Sequence, residues 1–193
     1  NDYRMISEEV SATIAEDIKS SAALAITFSL LVIFLYIAFR FKKWQFGLGS
    51  LIALVHDTLF VFSIYSLCYS IMPFSMSIDQ SFIAAILTVV GYSINDTVVV
   101  FDRIREYMAI QTKRGLKETM NAAVNSTLAR TINTSITTLM VLIVIFIFGG
   151  EVIRGFIFAM MIGIAVGTYS SLFVATPLTY DMLTRGKKAD EAK

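Results

Sequence analysis

A carboxylate stands inside a stretch otherwise suited to hydrocarbon. Phe82–Val90 reads FIAAILTVV, Asp96 follows six residues later, and Val98–Phe101 resumes the apolar character before Asp102, Arg103, Arg105 and Glu106. An ionisable group at bilayer depth is costly and normally faces a bundle interior or a water-filled path, so it marks a candidate functional site. Counted from Asp102, Asp96 lies about 9 Å inside the helix end. Asn95 is beside it, and Ser93 and Tyr92 fall on its face. A second candidate is Arg130. If a span begins near Ser126, its guanidinium sits ~6 Å inside, at a depth comparable to Asp96 on an antiparallel neighbour. A carboxylate that meets and leaves a cation can take up and release a proton. A buried pair that only fastens two helices is the plain alternative, and a basic anchor at the membrane face is the plain alternative for Arg130.

Two further groups carry possible proton chemistry. His56 and Asp57 occur mid-span in LIALVHDTLFVF, with Asp57 about 15 Å beyond Gly47. Histidine titrates near neutrality, so the pair suits a relay. As sequence neighbours ~100° apart on a helix they need not touch, and each could instead bond another helix. After Arg130 come Thr131, Asn133, Thr134, Ser135, Thr137 and Thr138. Of these, Thr134, Ser135 and Thr138, with Asn95 opposite, are read as lining a polar path. Hydrogen bonding between helices serves them equally well.

These groups need helices to hold them. The 193 residues are 56% hydrophobic and 16% charged, which is an integral-membrane composition. Five segments reach the ~20 residues that a bilayer requires: about 20–41, 46–70, 78–104, 126–148 and 153–183. Backbone groups in lipid must satisfy one another, so the segments are helices and the fold class is an all-α, five-helix transmembrane bundle. Residues 20–186 form that bundle, 187–193 a tail, and 116–125 a short polar helix near the membrane face, started after Gly115. Asp79 suits the N-cap of the third span. The last span carries a small-residue ridge at spacing four, Gly155, Ala159, Gly163, Gly167, Ser171 and Ala175. Such a ridge lets helices approach closely, within this bundle or against a partner. Pro177 beyond it is a candidate kink.

Charge sets an expected orientation. Of sixteen Lys and Arg, thirteen lie in Arg40–Lys43, Arg103–Arg130 and Arg185–Lys193. Those segments are then cytoplasmic, with an extracytoplasmic start and a cytoplasmic end. Residues 1–19 begin NDYRMISEEV, polar and acidic, with Ile6, Val10, Ile14 and Ile18 recurring every four. They read as an amphipathic helix rather than a signal peptide, which implies an upstream span. A net charge of +1 gives no argument for nucleic acid. Cys68 has no disulfide partner and no metal-ligand spacing around it, so no metal is called. No GxxxxGK[ST] loop is present, so ATP hydrolysis is not expected, and no cofactor is implied.

The stretch GYSINDTVVVFDRIRE at 91–106, followed by LARTINTS at 128–135, resembles the SecF branch of the SecD/SecF family, whether a separate subunit or the SecF half of a fused SecDF chain. The resemblance implies one half of a resistance–nodulation–division-type pseudo-symmetric membrane domain, with 1–19 ending an extracytoplasmic domain. It implies a bacterial inner-membrane location, SecD, the Sec translocon, preproteins and membrane lipid as partners, and proton-driven assistance to export rather than enzymatic catalysis. In that family the acid at the Asp96 position and the arginine at the Arg130 position are implicated in proton use, and an HD pair like His56–Asp57 is common. Other readings stay open: a proton-driven exporter of the wider superfamily, or a passive assembly scaffold. An intramembrane aspartyl protease needs two carboxylates sharing a proton. Asp57 and Asp96 fit that poorly, because Ser-Ile-Asn precedes Asp96 where presenilin-like proteases have GxG.

Overall fold

The computed structural model describes residues 12–111 and 114–191. Its helices are α1 (Ala12–Phe41), α2 (Trp44–Cys68), α3 (Gln80–Ile110), α4 (Leu116–Phe148) and α5 (Glu151–Ser170), then a π-helical turn (Ser171–Ala175) leading into α6 (Thr176–Glu191). No strand occurs among the described residues. Among the described residues five helical runs are long and apolar enough to cross a membrane, namely Ser20–Phe41, Trp44–Cys68, Gln80–Ile110, Leu116–Phe148 and Glu151–Gly186. The chain is a multi-pass membrane protein. The expected amphipathic start lies mostly outside the described residues.

The α1–α2 and α4–α5 connections are two residues long, so each of these pairs runs antiparallel. Only Lys42 and Lys43 separate α1 from α2, and Lys42 reverses the chain with φ at 55°. Gly149 and Gly150 join α4 to α5. The Gly149 amide donates to the Ile145 carbonyl at 2.7 Å, and a Cβ at Gly149 would collide with that same oxygen. At the start of α3, Asp79 caps as expected: its Oδ1 accepts from the Phe82 amide at 3.0 Å.

Two features differ from the sequence expectation. The polar segment 116–125 is helical from Leu116, but it continues into the fourth span as one helix, α4. Nothing between Asn125 and Ser126 removes an amide or a carbonyl, so the ladder of i to i−4 bonds runs on. At Pro177 the chain does not simply kink. The π turn at Ser171–Ala175 precedes it, with the Thr176 hydroxyl bonded to the Ser171 carbonyl at 3.0 Å. Proline lacks an amide and its ring presses on the carbonyl four residues back. A widened turn around Phe173 accommodates both effects.

Apolar clusters occupy the two ends of the bundle. Phe41, Phe46 and Phe101 stack at one end, with Phe41 and Phe46 centroids 5.3 Å apart. Tyr65 and Phe82, centroids 4.4 Å apart, anchor the other end with Val61 and Ile86. All six residues of the small ridge are buried. Gly163 lies against Val89 and Gly167 against Ser93, so the ridge seats α5 on α3 within this chain. Between the two clusters lies a polar layer.

Candidate functional site: two buried carboxylates

Asp57 is fully buried on α2 and holds three helices together. Ser93 Oγ of α3 and Ser170 Oγ of α5 each donate to its Oδ2 at 2.7 Å. His56 Nδ1 lies 3.1 Å from Oδ1, so the sequence neighbours do touch. With Nδ1 protonated, the carboxylate receives three donors. Bonds this short to a charged acceptor belong to the strong class. The imidazole is half-buried, its outer part facing away from the core.

Asp96, 3% exposed on α3, has a different surround. Its Oδ2 accepts from Thr168 Oγ1 of α5 at 3.3 Å and from Ser135 Oγ of α4 at 3.5 Å, both long. Each hydroxyl has a nearer alternative. Ser135 Oγ is 3.0 Å from the Thr131 carbonyl, Thr168 Oγ1 is 2.9 Å from the Ile164 carbonyl, and the two hydroxyls are 2.5 Å apart. Each hydroxyl has one hydrogen and two lone pairs. One hydroxyl donates to the other across their short contact. The second either donates to Asp96, serving a carboxylate, or turns back to its own helix carbonyl and leaves a lone pair for a carboxylic acid. The cluster therefore accommodates either protonation state without moving a helix.

The two carboxylates occupy one layer. Ser93, bound to Asp57, is one turn before Asp96; Ser170, also bound to Asp57, is two residues after Thr168. Between them Thr97 Oγ1 and Ser171 Oγ meet at 2.9 Å, beside the π turn. Thr97, Thr168, Ser170 and Ser171 were not among the candidates read as polar groups. The run Thr168-Tyr-Ser-Ser in an apolar helix was the available signal, but Ser171 was read only as a small residue.

Arg130 does not pair with Asp96. Among the described residues the ion pairs are Arg40–Asp102, His56–Asp57 and Arg103–Glu106. The reason is helical phase. Ser135 is the α4 residue that faces Asp96, and Arg130 is five positions earlier, ~140° round and ~7.5 Å along the axis. Arg130 is exposed. It lines a cleft of about 440 Å³ between α3 and α4, with Val99, Asp102, Arg103, Glu106, Ser126 and Thr127.

The cleft stops short of Asp96. Val99 is one turn beyond Asp96 on the same face of α3, and Thr127, Thr131 and Ser135 form a hydroxyl stripe on α4. Thr131 Oγ1, midway along the stripe, is buried without a hydrogen-bond partner. An orphaned hydroxyl of this kind is a natural seat for water. Of the other expected lining residues, Thr138 meets Tyr92 Oη at 3.2 Å. Asn95 and Thr134 face outward instead, and the Thr134 hydroxyl bonds the Arg130 carbonyl at 2.9 Å.

Fold and site together define a five-span membrane protein with carboxylates sequestered at mid-bundle. The family model described as "Protein export membrane protein SecD/SecF, C-terminal" matches residues 2–185, and the chain belongs to that family. It is 55% identical over 171 residues to "Protein translocase subunit SecF" of Rhodothermus marinus, covering 89% of this chain and 55% of the relative. It is 43% identical over 187 residues to the protein of the same name from Cereibacter sphaeroides, covering 96% and 56%. A solved structure, "Crystal structure of SecDF in Super-membrane-facing form", superposes with a TM-score of 0.78 at 42% identity. It covers 92% of this chain and 23% of that one. The chain thus spans about half the length of the curated relatives it matches.

Proposed function

We propose that this chain is the membrane half of a SecF-type subunit that, together with SecD, uses the proton-motive force to assist preprotein export through the Sec translocon. The observation that carries the reading is the Asp96–Ser135–Thr168 cluster, where two hydroxyls with alternative acceptors can serve either the acid or its conjugate base. Protons enter by the α3–α4 cleft and pass along Thr127, Thr131 and Ser135, with a water at Thr131. Arg130 stands at the cleft wall. His56 and Asp57 form a second station, His56 at the surface and Asp57 inside. One charge moved through 100 mV makes ~2.3 kcal/mol available, enough to bias states a few kcal/mol apart. The subunit is an accessory to transport rather than an enzyme.

SecD is proposed to cover α3 and α4. Asn95 continues the α3 wall of the cleft one turn deeper, Thr134 continues the α4 wall, and both are exposed mid-span. Lipid tails offer such groups no hydrogen bonds, so a protein surface suits them. The match to a fused SecDF chain supports that partner. The basic segments support a cytoplasmic side of the bacterial inner membrane for the Lys42 loop and for the end of the last span.

The test is preprotein export into inner-membrane vesicles carrying the full subunit with SecD. Asp96→Asn lowers the proton-motive-force-dependent part of export at least tenfold while membrane levels and thermal stability stay near wild type. Full stimulation with Asp96→Asn would leave only a structural scaffold.

A further inference from the structure

The basic end of α1 and α2 holds a feature that the transport reading does not use. A cleft of about 700 Å³ opens beside the two-residue connection, with Arg40, Lys42, Lys43 and Arg105 around its mouth and Trp44 and Tyr36 on its walls. Among the described residues no acidic side chain lines it. Asp102, nearby, is already engaged by Arg40 at 3.3 Å. Both guanidiniums are fixed in place: those of Arg40 and Arg105 lie 5.6 and 5.9 Å from the centre of the buried Phe41 ring, and Arg105 also donates to the Arg40 carbonyl at 3.1 Å. Lys42 occupies the left-handed backbone region, which a residue with a Cβ seldom adopts. Backbone of that kind recurs at binding sites.

The surroundings identify the occupant. Trp44 and Tyr36 are more than half exposed at the membrane end of the cleft, and Phe39 beside them is 87% exposed. Aromatic rings of this type sit at headgroup level, and apolar exposure below them suits an acyl chain. Cations above an apolar wall at the membrane boundary complement a lipid phosphate. We propose that this cleft seats an anionic phospholipid. Its phosphate lies among Lys42, Lys43 and Arg105, and its acyl chain lies along the Tyr36–Phe39 side of α1. The inference does not depend on proton coupling.

Native mass spectrometry of the full chain in detergent tests it, titrating dioleoyl phosphatidylglycerol against dioleoyl phosphatidylcholine. The wild type binds the anionic lipid at least tenfold more tightly. The double variant Lys42→Gly/Lys43→Gln loses that preference, since each cation near the surface contributes roughly fivefold. Glycine accepts the Lys42 backbone geometry, so this variant folds at least as well as the wild type. Lys117→Gln, an exposed cation at the same end on α4, keeps the preference. Equal binding of the two lipids, retained preference in the double variant, or an equal loss with Lys117→Gln would each overturn the proposal. So would glycerol phosphate competing as tightly as the lipid, which would reduce the site to phosphate chemistry.

Discussion

At the scale of single residues, two aspartates in one polar layer have opposite kinds of support. Asp57 receives hydroxyl donors at 2.7 Å from two other helices, so removing one leaves a buried oxygen short of a partner. A hydrogen bond to a charged group contributes about 1.5–3 kcal/mol, and Ser170→Ala should lower stability by that order. Asp96 has only long contacts from hydroxyls that also bond their own helices. Thr168→Val preserves shape and removes two interhelical contacts, to Asp96 and to Ser135, at ~0.6 kcal/mol each. The same change deprives the protonated and ionised states of a shared partner. Thr168→Val should therefore destabilise less than Ser170→Ala in denaturant unfolding in detergent, while proton-driven export in vesicles falls severalfold. Ser170→Ala should show the reverse balance. If Thr168→Val proved the more destabilising of the two, the assignment of roles would be wrong.

Between helices, close approach decides where those residues end up. A Cβ at Gly163 would press into the Val89 side chain on α3, and β-branched valine has little freedom to yield. Gly163→Ala should cost about 1–3 kcal/mol by overpacking, and Val89→Ala in the same chain should recover much of it. A double-mutant cycle on unfolding midpoints checks the coupling. The α3 start makes a separate prediction. Burial alone would raise the Asp79 carboxyl, but hydrogen bonds from Ser81, the Phe82 amide and Ser77 outweigh it and hold the group below its usual value. A depressed carboxyl stabilises the fold above its unfolded value and loses that contribution as pH falls through the folded one. Asp79→Asn, which still caps, should therefore be less stable than wild type at pH 6, with the gap closing below about pH 3.9. Much of this element level was readable in the residues: hydropathy located five spans, Asp79 announced a cap, and the glycine ridge announced a contact. What could not be read was phase. Whether Arg130 or Ser135 turns toward Asp96 depends on how α4 rolls against α3. That roll is set by tertiary contacts such as Tyr92–Thr138 and Ser135–Thr168. The π turn adds a residue per turn just beyond Ser170, and no local pattern distinguished it from an ordinary proline kink.

For the molecule as a whole, the two sides of the bundle differ in kind. The outer face of α1 exposes Leu24, Phe28, Leu31, Leu35 and Phe39, a surface matched to acyl chains. Along α3 and α4 the exposed set is mixed: Ile132, Ile136, Met140 and Val144 are apolar, but Thr88, Gly91, Asn95, Arg130, Asn133, Thr134 and Thr137 are exposed as well. A Cβ at Gly91 would meet nothing within 4 Å, so open space lies over the middle of that face. A long apolar surface needs only lipid, whereas a polar one at the same depth needs hydrogen-bonding neighbours. The proposed seat of SecD on α3 and α4 would meet that need and cover the outer side of the α3–α4 cleft. Cysteines placed singly at Asn95 and at Phe28 separate the two faces. With SecD present in membranes and a cysteine scan along its spans, Asn95→Cys should form a disulfide across the subunit boundary, and Phe28→Cys should form none. Crosslinking from Phe28→Cys with none from Asn95→Cys would put the partner on the wrong side of the bundle. The α3–α4 cleft would then have lipid rather than protein along its outer side.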